Sequence, residues 1–264
     1  MFANLSNLIR YRGLIQSLVA RELKARYRGS VLGFFWSFIN PLLLLLIYSF
    51  VFTTVIPNQL QGVQPYALFM FCGILPWTWF SSSLTEASGS LIAGGNLIKK
   101  VLFPAEVLPI VSVLANMVHF FLGLPILLVF LVIYKHWPDP LDLFWFPVAV
   151  LVQLIFTAAL GLIVSALTVH FRDIRDLLSN LLTLWFFATP IIYPWFQPNV
   201  QQFKWLFNLN PFTHLAVSYQ EILFFSGPIG HWRWLLALGV GSVLLFLAAY
   251  WLFDRLRDSF AEVV

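Results

Sequence analysis

Few side chains in this sequence could do chemistry, and most are spaced wrongly for it. His119, His136, His170, His214 and His231 stand apart, without the HExxH or similar spacing that sets two imidazoles on one metal ion. Cys72 is the single cysteine, which excludes an internal disulfide and a cysteine-cluster metal site. No GxxxxGK[ST] loop is present to cradle a phosphate, and no GxSxG elbow to present a nucleophile. The reading is therefore no catalytic residue, no metal and no cofactor on this chain. Binding chemistry remains. Arg26 and Arg28 could fork onto phosphate oxygens, although anchoring at a headgroup layer explains the same pair without a ligand.

Aromatic residues are the second resource, at 18% of the chain. Phe34, Phe38, Pro41, Leu45, Tyr48 and Phe52 step by four and three along one helical face, and Leu182, Trp185, Thr189 and Tyr193 do the same further on. Flat rings of this kind can pack on the C–H faces of sugars and let a polymer slide. The plainer alternative for each is an interfacial anchor, or packing against a neighbour or lipid.

The elements that must position these residues follow from composition. Of 264 residues, 60% are hydrophobic and only 10% charged, with mean hydropathy +0.86. Ordinary globular chains carry about 25% charged residues, so this is an all-α membrane protein. The basic balance (net +4) would suggest nucleic acid in a soluble chain. Here the bases flank apolar runs, which points to membrane lipids and topology instead. No cleavable leader pattern precedes the first apolar run, so the anchor is expected to be permanent.

Residues 1–30 read as an N-terminal amphipathic helix lying on the membrane: Leu8, Tyr11, Ile15, Leu18 and Leu23 recur on one side, with Arg10, Arg12, Gln16, Arg21 and Lys24 mostly elsewhere. Residues 31–264 read as six spans at about 31–56, 66–85, 107–134, 144–169, 177–196 and 232–253. A polar, glycine-containing loop fills 86–106. Residues 197–231 are too interrupted for a clean span and read as short re-entrant helices in the outer half of the membrane, tolerable only where protein or a water-filled cavity shelters them. With both termini cytoplasmic, twelve of the fifteen Lys and Arg residues fall on the inner side, leaving Lys135, Lys204 and Arg233 outside. The spans carry almost no carboxylates, which argues against ion-coupled transport. Any energy for transport must then come from another subunit.

Four stretches, RELKARYRGSVLGFFWSFINPLLLLLIYSFVF, NLIKKVLFPAEVLP, HFRDIRDLLSNLLTLWFFATPIIYP and LNPF, occur in an order and at separations that resemble the permease subunits of type-2 ABC exporters. The resemblance is to the branch that exports O-antigen, capsule or teichoic-acid polysaccharides, and it covers nearly the whole chain. After LNPF the chain reads SYQEILFFSGP, where many O-antigen members carry an acidic-aromatic-basic pattern, so the glycan stays open.

The resemblance implies a homodimer in the bacterial inner membrane, two copies of a separate ABC ATPase that holds ATP and Mg, and a lipid-linked glycan as cargo. It implies that Gly95, Asn96, Lys99, Lys100, Phe103 and Pro104 form the main coupling helix to the ATPase, with Gly94 and Gly95 allowing a sharp turn and Pro104 ending the helix. A plain cytoplasmic loop obeying topology is the alternative. Arg172 and Asp173 would form a second contact, against the alternative of an intrahelical Arg172–Asp176 ion pair worth a few tenths of a kcal/mol. Phe34, Phe38, Tyr48, Phe52, Trp185, Thr189 and Tyr193 would line the substrate channel, and Arg26 and Arg28 would meet a lipid diphosphate. Competing readings are an ABC permease for a drug or small lipid, and a membrane-embedded glycolipid-processing enzyme, for which Asp173 and Asp176 are the only close inner acidic pair.

Overall fold

The computed structural model describes residues 10–55, 63–100, 103–225 and 227–263, and all regular structure among them is helical. Leu8 and most of the loop after the first span lie outside the described residues. Five helices or helix pairs are long and apolar enough to cross a membrane: Gly33–Phe50, Tyr66–Ala93, Val107–Ile133, Pro140–His170 and Trp232–Arg257.

Helix α1 (Arg12–Arg26) lays Leu18 into a small core with Val107 and Val111, flanked by Tyr11, Leu14, Ile15 and Val19. Its apolar stripe thus meets protein, while Arg12, Gln16, Arg21 and Lys24 stay exposed. The chain then turns through Gly29 (φ 81°) and Gly33 (φ 50°), left-handed conformations that cost an L-residue about 1–2 kcal/mol each. A 3-10 turn, Gly33–Phe35, leads into α2 (Trp36–Phe50).

Helix α3 (Tyr66–Ala93) is the hub. It touches α2, α5 (Val107–Ile133), α7 (Trp145–His170), α8 (Ile174–Phe187) and α11 (Pro211–Leu223). In lipid the hydrophobic effect does not drive helices together, so close packing and interhelical hydrogen bonds must. Both are present. A Cβ on Gly123 would stand 2.5 Å from Leu75 Cδ1. Trp79 Nε1 donates to the Val113 carbonyl (3.1 Å), and the fully buried Gln153 donates to the Pro76 carbonyl (2.8 Å).

Helix α3 runs to Ala93, so the first eight residues of the expected polar loop are helix. Their serines satisfy themselves locally: Ser88 donates to Thr85 O and Ser90 to Ala87 O, both within one turn. The expected span 177–196 is helical only to Phe187. At 1.5 Å per residue α8 covers about 21 Å, short of the roughly 30 Å hydrocarbon layer. Pro190, which lacks an N–H, and Asn210, which donates to the Ala188 carbonyl at 3.1 Å, end it there.

The chain continues irregularly from 188 to 197 and through α9 (Pro198–Gln201) and α10 (Lys204–Leu209) into α11. Almost every residue of α11 is buried. The last helix, α12 (Trp232–Val263), does not stop at residue 253. It carries the expected tail as further helical turns, because Phe260 is buried against Phe253 and His170.

Candidate functional site

Three groups of side chains outside the bulk apolar packing stand out. The first surrounds α4 (Gly95–Lys100) and the segment leading into α5. Gly94 has an ordinary φ near −87°. It is small because a Cβ there would lie 2.4 Å from Leu108 Cδ1 and 3.0 Å from the Ser90 carbonyl. Close approach, not turn geometry, sets glycine at that position. Asn96 and Lys99 are exposed and Gly95 is buried; the side chain of Lys100 lies outside the described residues. Phe103 is half-buried and touches two cores at once, that of α1 with Val107 and Val111, and that of Leu91, Leu108, Tyr250 and Phe253. Pro104 is buried beside it. Glu106, 3% exposed, accepts from the Tyr250 hydroxyl (3.4 Å) and faces Arg257 at 4.0 Å.

Arg172 and Asp173 are exposed in the turn between α7 and α8, and no ion pair joins Arg172 to Asp176 among the described residues. Asp173 accepts from Asp176 and Leu177 through its backbone carbonyl only.

The second group joins α1, α3 and α5. Arg26 meets Glu86 at 2.6 Å and donates to Asn116 Oδ1 at 3.1 Å, while Asn116 donates to the same Glu86 oxygen at 2.7 Å and to the Ser112 carbonyl at 2.9 Å. Arg26 and Arg28 are both exposed, but of the two only Arg26 is ion-paired among the described residues. Next to it the Tyr27 hydroxyl shares a hydrogen bond with Ser37 (2.7 Å) and lies 3.4 Å from His119 Nδ1. These groups close one end of a cavity of about 570 Å³ between α2, α3 and α5. Trp36, Asn40, Pro41 and Leu44 of α2, Phe71, Thr78, Trp79 and Ser82 of α3, and Phe120 of α5 form much of its wall.

The third group brackets the end of α8. Asn210 accepts from Trp185 Nε1 (2.7 Å), donates to Thr189 Oγ1 (2.9 Å), and caps α11 by accepting from Phe212 N (3.0 Å). The LNPF stretch is thus a helix start that also holds the preceding helix end. Tyr193 donates to the Phe187 carbonyl (2.8 Å). Beyond it, His214 stacks on Trp234 with ring centroids 4.6 Å apart and donates to the Asn208 carbonyl. Burial holds its imidazole below the usual histidine range, against the pull of that carbonyl and aided by nearby His231. His231 in turn donates to Glu221 at 3.0 Å.

The two aromatic stripes are not brought together: they share no ring contact or hydrogen bond among the described residues. Phe34 and Phe38 form an edge contact at 5.8 Å, and Tyr48 and Phe52 a tilted one at 6.4 Å, on a partly exposed face of the first span. Trp185 packs on Phe80 (5.2 Å), and Thr189 is fully buried. Only Pro41 of the stripe, and Arg26 among the expected headgroup residues, reach the cavity.

Glu86, Asn116 and Asn40 have no role in the reading of the sequence, where His119 enters only among the scattered histidines and Asn210 only within LNPF. Their signal was present, since a polar or ionisable residue inside an apolar helix marks function or a partner by default.

A bundle of five helices long and apolar enough to span a membrane, packed around a buried one and tied by interhelical polar links, is a polytopic helical membrane protein. The chain belongs to the ABC-2 type transporter family, whose model matches residues 13–224. It is similar to the O-antigen export system permease protein RfbA of Myxococcus xanthus, 45% identical over 258 residues and covering 97% of both chains. A protein of the same name from Klebsiella pneumoniae is 34% identical over 251 residues, 95% of each chain. The capsule polysaccharide export inner-membrane protein CtrC of Neisseria meningitidis serogroup A is 25% identical over 181 residues, 67% of this chain and 66% of that one.

Proposed function

We propose that this chain is the permease subunit of an ATP-driven exporter that moves a lipid-linked polysaccharide of the O-antigen, capsule or teichoic-acid type across the bacterial inner membrane. The observation that carries this is the 45% identity to an O-antigen export permease over 97% of both chains. It acts as a homodimer with two copies of a separate ABC ATPase, where ATP and Mg bind. The chain itself transports and does not hydrolyse. Both termini lie in the cytoplasm and the chain crosses six times. The sixth crossing is made by α8 completed by residues 188–197, with α9 to α11 re-entrant on the outer side.

The coupling surface comprises Gly95, Asn96, Lys99, Lys100, Phe103 and Pro104, with Arg172 and Asp173 as the smaller contact. The exposure of Asn96, Lys99, Arg172 and Asp173 and the double packing of Phe103 support this reading. Motion of α4 would reach both α1 and α12 through that one ring. Phe34, Phe38, Tyr48 and Phe52 face a channel formed with the second subunit. Trp185, Thr189 and Tyr193 shape its outer gate. Arg28 is the headgroup contact, with Arg26 fixed behind it.

Co-purification with candidate ABC ATPases encoded near the gene tests the assignment. A stable complex is expected. Replacing Lys99, Lys100 and Phe103 together by Ala is expected to uncouple ATP hydrolysis from glycan export. If no ATPase binds and deletion of the gene leaves surface glycan unchanged, the assignment is wrong.

A further inference from the structure

The cavity between α2, α3 and α5 does not belong to the channel just assigned, and its wall is chemically unusual for membrane depth. Asn40 lies within the apolar stretch Gly33–Phe50, one residue before Pro41, and its amide makes no hydrogen bond with any described residue. Ser82, across the cavity on α3, is likewise unpartnered. Asn40 is exposed and Ser82 half-buried, so both are open to whatever fills the cavity. An amide that met only hydrocarbon there would cost about 2–7 kcal/mol, and polar groups at membrane depth persist where they serve a ligand or a relay. These two groups face a space of about 570 Å³, within the roughly 300–1,000 Å³ range of small-molecule sites.

The rest of the wall narrows the ligand. Trp36 Nε1 is already satisfied by Ser30 Oγ and Trp79 Nε1 by the Val113 carbonyl, both at 3.1 Å, so each indole offers the cavity only apolar ring. Among the described residues that line it, Arg26 is the one fixed cation, with the His119 imidazole also in the wall, and Glu86 holds Arg26 at 2.6 Å. A phosphate entering there would have to displace that carboxylate and meet its charge. An acyl chain would leave Asn40 and Ser82 unpaired. Aromatic surface, free amide and hydroxyl groups and no net charge together suit a neutral ring that carries hydroxyls on its edge and C–H bonds on its faces.

We propose that this cavity is a sugar-ring subsite, one in each subunit and separate from the aromatic channel stripe, that takes a neutral sugar of a lipid-linked glycan. The proposal rests on the export reading for the carrier of the sugar, but not for the binding itself. Binding is therefore tested on the full-length permease in lipid nanodiscs, without ATPase. A set of octyl glycosides of glucose, galactose, mannose and N-acetylglucosamine, each with a diazirine in the alkyl chain, is photolysed with the protein. Labelled peptides are mapped by mass spectrometry. The same alkyl diazirine without a headgroup, and its phosphate monoester, run alongside.

At least one glycoside is expected to label peptides spanning 26–44, 71–82 and 116–120 saturably, in competition with its unlabelled form. Asn40→Ala with Ser82→Ala should cut that labelling at least tenfold. Ser82→Ala alone serves where the double variant loses its size-exclusion peak. Equal labelling by the bare alkyl probe would make this an acyl-chain pocket and overturn the proposal. So would stronger labelling by the phosphate, absence of saturation with every glycoside, or indifference to the substitutions. A failed co-purification with ATPase would sink the export reading and leave this result standing, so the two fail separately.

Discussion

The first and second spans are neighbours of opposite character. Of the most apolar stretch of α3, 83% is buried in the chain; for the stretch containing α2 the figure is 11%. Both are hydrophobic, so composition does not separate them. The difference lies in what each helix touches. Helix α3 presents Phe69, Phe71, Trp79 and Phe80, all nearly fully buried, to several partners at once. Helix α2 buries Ser37 and Leu45 and turns Leu43, Leu46, Ile47 and Phe50 outward. One helix is scaffold. The other is attached along a narrow seam and at its basic end, where Gly29, Gly33 and the Tyr27–Ser37 bond set its angle. Rearrangement in response to a partner is therefore cheapest at α2.

Truncating the scaffold should show the largest effect. Phe80 touches Trp77, Phe156, Trp185 and Phe212, and Phe80→Ala should cost about 3–5 kcal/mol. Ile47→Ala, at a residue of α2 that is itself 56% exposed, should cost little. Thermal unfolding followed by fluorescence-detected size exclusion reads both, and equal losses would erase the contrast between the helices. Next in size is Arg26→Ala. It leaves Glu86 without its cation, held only by Asn116, and should cost about 1–3 kcal/mol, the range for leaving a hydrogen-bonding group without one of its partners. Hydrogen exchange should rise over 12–33 with little change in 66–85. A uniform rise would mean that the Arg26 network belongs to the scaffold instead. Smallest is Gly29→Ala: nothing lies within 4 Å of the added methyl, so only the left-handed backbone is penalised. That amounts to about 1 kcal/mol, and the readout is again faster exchange in the turn before α2.

The helices Val107–Ile133 and Trp145–His170 match the apolar runs read at 107–134 and 144–169 to within a residue or two, because charged or proline-rich turns bound each run on both sides. Such runs fix where a helix lies, not which face it buries. The end of α8 was not legible, since it depends on Asn210, more than twenty residues further on. The last turns of α3 were hidden for a similar reason. EASGSLIA reads as loop until Arg26 and Asn116, sixty and thirty residues away, are seen to hold Glu86. Within the site, Arg26 was visible as a charge, but its carboxylate partner was not, so a phosphate role looked open to both arginines. Residue spacing reveals pairs within one helix; the bonds that join Arg26, Glu86 and Asn116 cross between helices.

Helix α12, at about 48 Å for its 32 residues, is longer than the hydrocarbon layer by more than half. Near its start Trp234 lies flat on His214 of the buried α11, and near its end Arg257 and Tyr250 reach Glu106 while Phe260 wedges against His170. A rod gripped at both tips behaves as a strut. Tilt or thrust imposed on the Glu106 tip would travel toward the His214 tip, and Gly239 and Gly241, between the two tips, set how much of it is lost to bending.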